Sequence, residues 1–183
     1  GHLQSYLGPV QLGVGVKGGV EAAAHAARRF LSGMGKGDVM LKLDFSNAFN
    51  TLRRDSILEA VLDKAPMIYN FCRLSYEQSS VLRFGGVEIP SCEGCQQGDP
   101  LGPLLFALTL QPAFTAVNLP LSLGYLDDVS MGGQHDVVVK EFLTFRSAAS
   151  GLGLRLNPAK CECIARSVQL SSSLAESSLL GFT

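Results

Sequence analysis

Residues 121–131, LSLGYLDDVSM, place two adjacent carboxylates, Asp127 and Asp128, between two apolar runs. The length and pattern predict a tight β-hairpin with the aspartates at its tip. Two-residue hairpin turns favour Asn-Gly or Asp-Gly because their central residues need positive φ, so Asp-Asp is a poor turn sequence. Adjacent carboxylates also repel each other unless a cation neutralises them. The stretch therefore indicates either a metal site at a hairpin tip or a solvated acidic turn.

The composition is that of one globular domain. The chain has 183 residues, of which 46% are hydrophobic and 17% charged, and this excludes a disordered class. Its net charge of −1 gives no general attraction for nucleic acid. Five irregularly spaced cysteines argue against a disulfide scaffold and indicate an intracellular, reducing compartment. The most apolar stretch, 101–117, contains two prolines and is too short to span a membrane, so no membrane association is expected.

Residues 38–45 alternate cleanly between two faces. Val39, Leu41, Leu43 and Phe45 occupy one face, and Met40, Lys42 and Asp44 the other. This period of two predicts a strand with one buried face. The strand would deliver Asp44 to its polar face, near its C-terminal end.

Two short motifs suggest other functions and are disfavoured. Residues 13–18 match G-x-G-x-x-G, but a dinucleotide site requires a strand before the glycines, and only residues 10–12 are available. A flexible connector is the preferred interpretation. Cys92-x-x-Cys95 lacks a second pair at the usual zinc spacing, so no zinc site is expected.

The remaining patterns predict the order of helices and strands. Helices are expected at 20–31, 53–64, 67–76, 104–117 and 137–150, and Asp136 would cap the last of them. A hairpin is expected at 79–91 and a final strand at 161–166. The elements follow the order strand, helical crossover, strand, strand, helix, strand. This order predicts an α+β fold with a ferredoxin-like βαββαβ antiparallel sheet and helices on one face. The first crossover would contain a long insertion. In such a sheet the first strand lies beside the hairpin, so Asp44 and Asp127 are expected to meet.

Four sequence motifs resemble, in this order, the palm motifs of reverse transcriptases: LKLDFSNAFNTL, GCQQGDPLGPLLFAL, GYLDDV and GLRLNPAKCE. They are most similar to those of non-LTR (LINE-type) retroelements, and the similarity covers residues 11–181. The resemblance implies an RNA-directed DNA polymerase with a polymerase palm fold and a fingers-like insertion. Its partners would be an RNA or DNA template with a primer, and deoxynucleoside triphosphates. Residues 1–183 would form a single domain, with a connector and helix at 1–37 and the palm core at 38–170.

The resemblance also implies a metal site. Asp44 and Asp127 would bridge two Mg²⁺ ions, or Mn²⁺ in their place. Asp128 would be a weaker ligand, and Phe45 would contribute its backbone carbonyl. Two such ions suit in-line displacement, because one activates the primer 3′-hydroxyl while the other holds the triphosphate.

The resemblance also assigns roles to four further residues. Phe49 would be the aromatic gate beneath the sugar, leaving no room for a 2′-hydroxyl. Gln97 and Gly98 would face the incoming nucleotide and the template. Lys160 would protonate the leaving pyrophosphate.

Some parts of the family pattern are expected outside this chain. The basic fingers residues would precede Gly1, and the thumb would follow residues 180–181, which resemble the start of the next motif. The chain is thus expected to be a fragment of a longer polyprotein and to polymerise poorly alone. The alternative is a non-catalytic palm that binds nucleic acid or protein. A GGDEF-like cyclase is disfavoured by Tyr125, and an RNA-dependent RNA polymerase by Phe49.

Overall fold

A computed structural model of the chain describes residues 2–166. The helices, in chain order, are α1 (His2–Leu7), α2 (Gly19–Gly33), α3 (Ala48–Thr51), α4 (Arg54–Lys64), α5 (Tyr69–Tyr76), α6 (Gly102–Thr115) and α7 (His135–Gly151), with 3₁₀ turns at Pro66–Ile68 and Pro158–Lys160. The strands are β1 (Asp38–Leu43), β2 (Ser80–Phe84), β3 (Val87–Ser91), β4 (Leu121–Tyr125), β5 (Asp128–Gln134) and β6 (Glu162–Ala165). The predicted end of the core at 170 and the motif at 180–181 lie outside the described residues.

The main sheet has the order β4-β5-β1-β6, and each neighbouring pair is antiparallel. This order confirms the ferredoxin-like βαββαβ prediction, with β1, β4, β5 and β6 as its four strands. The first crossover contains α3 to α6 and the separate β2–β3 hairpin, which is the expected insertion. Strand β1 lies between β5 and β6, and its apolar residues Val39, Leu41 and Leu43 are fully buried.

The main core lies between one face of this sheet and helices α4, α6 and α7. Helix α6 is buried on almost every side, which explains its lack of a polar stripe. Aromatic rings join the layers: the Phe114 and Phe145 centroids lie 5.2 Å apart, and those of Phe45 and Phe145 lie 6.3 Å apart. None of the described helices is both long and apolar enough to cross a membrane.

Helix α2 departs from the expectation that the helices share one face. It packs on the opposite face, over a second cluster formed by Met40, Leu121 and Leu123. Gly132 lies directly beneath the ring of Phe30, where an added Cβ would come within 2.6 Å of Cε1. The reason is that this face carries apolar side chains along part of its length, and burying them excludes water from both sides of the sheet.

Two local predictions were wrong. Helix α7 begins at His135, so Asp136 lies within its first turn and does not cap it. Strand β5 runs directly into α7, and the His135 amide is fixed by the Gly37 carbonyl at 2.9 Å, so the strand end sets the helix start. In α4, Ile57 and Val61 are buried as expected, but Leu62 is 53% exposed because no element within residues 2–166 covers that flank.

Candidate active site

The β4–β5 hairpin presents one aspartate in its turn and the other in a strand. Tyr125 pairs with Asp128, so the central turn residues are Leu126 and Asp127, and Leu126 has a φ of 57°. The expectation of an Asp-Asp tip is therefore wrong by one residue. Directly paired residues share a face of the sheet. Tyr125 and Asp128 hence lie on the same face, contrary to simple alternation, because the turn reverses the chain between them.

Asp44 follows immediately after the last residue of β1. The β1–β5 register ends at Leu43 opposite Val129, so Asp44 comes next beside the start of β5, where Asp128 lies. Its backbone is fixed: its carbonyl accepts a hydrogen bond from the Asn157 amide at 2.9 Å, and its amide donates to Cys161 Sγ at 3.4 Å. Its carboxylate is less satisfied, because Oδ1 is buried with no hydrogen-bond partner.

The structure brings Asp44 and Asp127 into electrostatic contact. Burial raises the pKa of Asp127, and the charges of Asp128 and Asp44 raise it further, while a backbone hydrogen bond opposes the shift. Burial is the larger cause, and the two neighbouring carboxylates add to it. Asp128 itself is exposed at the start of β5. The end of β1 therefore lies next to the β4–β5 hairpin, and Asp127 is the more enclosed of the two hairpin aspartates.

This arrangement fits Mg²⁺ or Mn²⁺ in its donor chemistry. Mg²⁺ prefers oxygen ligands and is usually held by one or two carboxylates, with water and substrate phosphates completing its shell. A buried carboxylate oxygen without a partner on Asp44, beside the crowded carboxylate of Asp127, offers such ligands. Within residues 2–166, no group of three or more His, Cys, Asp or Glu side chains is arranged to hold a metal ion. The described part of the chain thus offers carboxylate ligands rather than a complete cage.

Phe49 and Gln97 belong to adjoining segments. Phe49 is half-buried and stacks on Phe106, with centroids 4.5 Å apart and ring planes 17° apart. Its carbonyl accepts a hydrogen bond from the Cys95 amide at 2.7 Å. The exposed Gln97 donates from Nε2 to Asn50 Oδ1 at 3.0 Å. The short helix after Asp44 and the loop before α6 are therefore joined along one edge.

The other two predicted positions, Gly98 and Lys160, are both exposed to solvent. Gly98 has a φ of 86° and open space around its Cα, so the loop backbone is accessible there. Lys160 is exposed at the end of a 3₁₀ turn. The flanking residues Asn157 and Cys161 are those that contact the Asp44 backbone, so the Lys160 segment runs alongside Asp44. The Phe45 ring packs into the core, and the Phe45 backbone forms an isolated antiparallel β-bridge with Leu156.

A polar network beneath the loop before α6 was missed from the sequence. Arg54, only 7% exposed, donates hydrogen bonds to the carbonyls of Gly94 and Ser91. Tyr76 donates its hydroxyl to Asp99 and accepts from the Gln96 amide at 3.2 Å. Burial and Asp99 raise the pKa of Tyr76, which keeps its hydroxyl protonated. The sequence around Arg54 gives no sign that this arginine is buried, because its hydrogen-bond partners belong to a loop that is distant in sequence.

Comparisons with known proteins give the family of the chain and support its fold. A family model described as "Reverse transcriptase (RNA-dependent DNA polymerase)" matches residues 7–181. Among solved structures, telomerase from Candida tropicalis in complex with a TWJ fragment of telomeric RNA matches with a TM-score of 0.61 and 14% identity, over 81% of this chain and 30% of that one. The apo telomerase of the same species gives a TM-score of 0.59 and 13% identity, over 80% of this chain and 32% of that one.

Telomerase from Candida albicans, also with a TWJ fragment of telomeric RNA, gives a TM-score of 0.55 and 11% identity, over 90% of this chain and 32% of that one. At these identities the similarity shows the fold alone. The chain spans about a third of the length of these telomerase chains. No curated protein matches it at a significant level.

Proposed function

The chain belongs to the reverse transcriptase (RNA-dependent DNA polymerase) family, and from this membership we propose that it catalyses metal-dependent transfer of deoxynucleotides to a primer 3′-hydroxyl on an RNA or DNA template. The observation that carries the proposal is the register that places Asp44, with its buried and unpartnered Oδ1, beside the hairpin that bears Asp127 and Asp128. The motif resemblance further supports a non-LTR element as the source, with the whole chain forming one domain of a longer polyprotein.

The proposed role of the carboxylate pair is to hold divalent cations. Asp44 would supply a carboxylate ligand from the end of β1, where its backbone is held by hydrogen bonds to Asn157 and Cys161. Asp127 contributes from the hairpin turn, Asp128 supports it from β5, and the Phe45 carbonyl is the proposed backbone ligand. Bound Mg²⁺ supplies activation of the primer hydroxyl and neutralisation of the triphosphate. Phosphoryl transfer depends mostly on such positioning and charge neutralisation, so few other protein groups are required.

The proposed nucleotide pocket lies along the edge joined by Phe49 and Gln97. The stack on Phe106 holds the Phe49 ring in a fixed orientation, as a steric gate requires. A fixed ring beneath the sugar excludes a 2′-hydroxyl by contact. Gln97 and the open backbone at Gly98 are proposed to face the incoming base and template. Lys160 is proposed as the proton donor to pyrophosphate.

Primer extension tests this function. Because the chain spans about a third of the telomerase chains it matches, the assay uses it joined to its natural flanking sequence, with an RNA template, a DNA primer, deoxynucleotides and Mg²⁺. We expect synthesis by the wild type, none by Asp127→Asn, and normal synthesis by Asp136→Asn, which removes a carboxylate outside the site. Equal synthesis by the wild type and Asp127→Asn would refute the metal assignment.

A non-catalytic palm that binds nucleic acid or protein is the second candidate. It is favoured by the absence, within residues 2–166, of three ligating side chains arranged around one point. The same assay separates the two functions. Binding of primer and template without synthesis, unchanged in Asp127→Asn, would support the non-catalytic role.

A further inference from the structure

Gln11 is a fully buried polar residue in direct contact with the hairpin turn. Its Oε1 accepts hydrogen bonds from the amides of Leu126, at 2.8 Å, and Gly13, at 3.0 Å. Its Nε2 donates to the Leu126 carbonyl at 3.4 Å. One side chain therefore satisfies both peptide groups of Leu126, the residue immediately before Asp127. A buried amide with this many partners rigidifies whatever it binds.

Leu126 requires such support because of its backbone conformation. Its φ of 57° lies in the left-handed region. A residue with a Cβ adopts this region only at a cost in conformational energy. Asp127 adds a second cost, because Asp128 follows it directly and the β1–β5 register places Asp44 beside Asp128, so that like charges gather at the turn. A turn under both stresses would relax away from Asp44 unless another group fixed its backbone.

The segment around Gln11 makes further contacts that hold the hairpin in place. The Leu12 amide donates to the Gly124 carbonyl at 2.7 Å, and the Gly124 amide donates to the Val10 carbonyl at 2.9 Å. At Gly13 an added Cβ would come within 2.7 Å of Leu126 Cγ, so a side chain there would displace the turn. The start of the glycine-rich stretch interpreted from sequence as a flexible connector is thus packed against β4 and the turn, whereas Gly15 has open space around it.

We propose that Gln11 is a positioning residue that holds the Leu126–Asp127 turn so that the Asp127 carboxylate faces the same cation as Asp44, an inference that rests on the proposed metal site. Gln11 acts through the backbone of Leu126 and touches no reacting atom. Its substitution should therefore change the order of the turn and the affinity for metal together.

The test compares Gln11→Met with Gln111→Met. Methionine matches the length of glutamine and removes the hydrogen bonds. Gln111 is a suitable control because it is also buried, at 2% exposed, and donates to a backbone carbonyl, that of Tyr6 at 2.9 Å, away from the turn. Two quantities are measured on each protein: hydrogen exchange of the Leu126 amide by NMR, and Mn²⁺ affinity by titration.

In Gln11→Met we expect the Leu126 amide to exchange about tenfold faster than in the control. Mn²⁺ affinity should fall about tenfold, at the lower end of the losses seen when partners of metal ligands are removed. Adding Leu126→Gly to Gln11→Met should recover part of that affinity, because glycine adopts positive φ freely.

Unchanged exchange at Leu126, or equal Mn²⁺ affinity in Gln11→Met and Gln111→Met, would overturn the inference. A wild-type protein that binds no Mn²⁺ would instead contradict the proposed function. In that case the exchange measurement would still decide whether Gln11 fixes the turn.

Discussion

Replacing Arg54 with methionine removes the guanidinium that ties α4 to the loop before α6. Arg54 donates to Gly94 O at 3.1 Å, to Ser91 O at 2.8 Å and to Ser91 Oγ at 3.0 Å. A longer contact reaches Gln78 O at 3.4 Å, and the guanidinium lies 5.4 Å from the centre of the Tyr76 ring. Methionine retains most of the apolar stem, so the substitution mainly tests these polar contacts.

The expected loss follows from the three shorter bonds. At about 1 kcal/mol net for each hydrogen bond, their removal lowers the free energy of unfolding by roughly 3 kcal/mol. The buried carbonyl of Gly94 and the partly buried carbonyl of Ser91 also lose a charged donor, which adds to the loss of stability. With a urea m-value of about 2–3 kcal/mol/M, the midpoint should fall by roughly 1–1.5 M.

Urea denaturation followed by circular dichroism measures this change. The matched control is Arg53→Met, in which the neighbouring arginine is exposed and pairs with Asp55 at the surface. Exposed ion pairs contribute little, so the control should have nearly the wild-type midpoint. A midpoint for Arg54→Met equal to that of Arg53→Met would refute the assignment of a structural brace.

Three further predictions follow from the site and its surroundings. Phe49→Val should reduce discrimination against ribonucleotides, seen as a smaller ratio of kcat/KM for deoxy- over ribonucleotides; an unchanged ratio would mean that the ring serves only packing. Because the pKa of Asp127 is raised, its ionisation opposes folding as the pH rises above its ordinary value of 3.8. Asp127→Asn should therefore be more stable than the wild type at pH 7 without metal, and an advantage that persisted below pH 3 would contradict this explanation. Cys92 is exposed, whereas burial raises the pKa of Cys95 to about 12. Cys92 should thus react fastest with a disulfide reagent at pH 8, and Cys92→Ser should abolish the fast phase.

The sheet could be predicted because its signals are local. Alternation in β1 reflects a strand with a buried face, and Gly85 and Gly86 both have the positive φ that a hairpin turn requires. The conformation of residues in such segments depends mainly on their near neighbours in sequence. The order of these elements then determines the ferredoxin-like arrangement and brings Asp44 to the hairpin.

The parts that were missed depend on contacts between distant segments. Gln11 lies between two apolar residues and resembles the polar face of a short strand. Its burial arises only when the turn at Leu126 closes over it. The turn itself was misplaced by one residue, because no local rule puts a leucine at positive φ in preference to an aspartate. Arg54 was missed for the same reason, since its acceptors belong to the loop before α6 and the end of β3.

A Mn²⁺ titration most directly tests the central claim that Asp44 and Asp127 form one cation site. The wild type is compared with Asp44→Asn/Asp127→Asn and with Asp63→Asn/Asp136→Asn, which removes the same charge from elsewhere on the surface. The account predicts saturable binding by the wild type and the surface variant, and its loss in the site variant. Equal binding by all three proteins would contradict it.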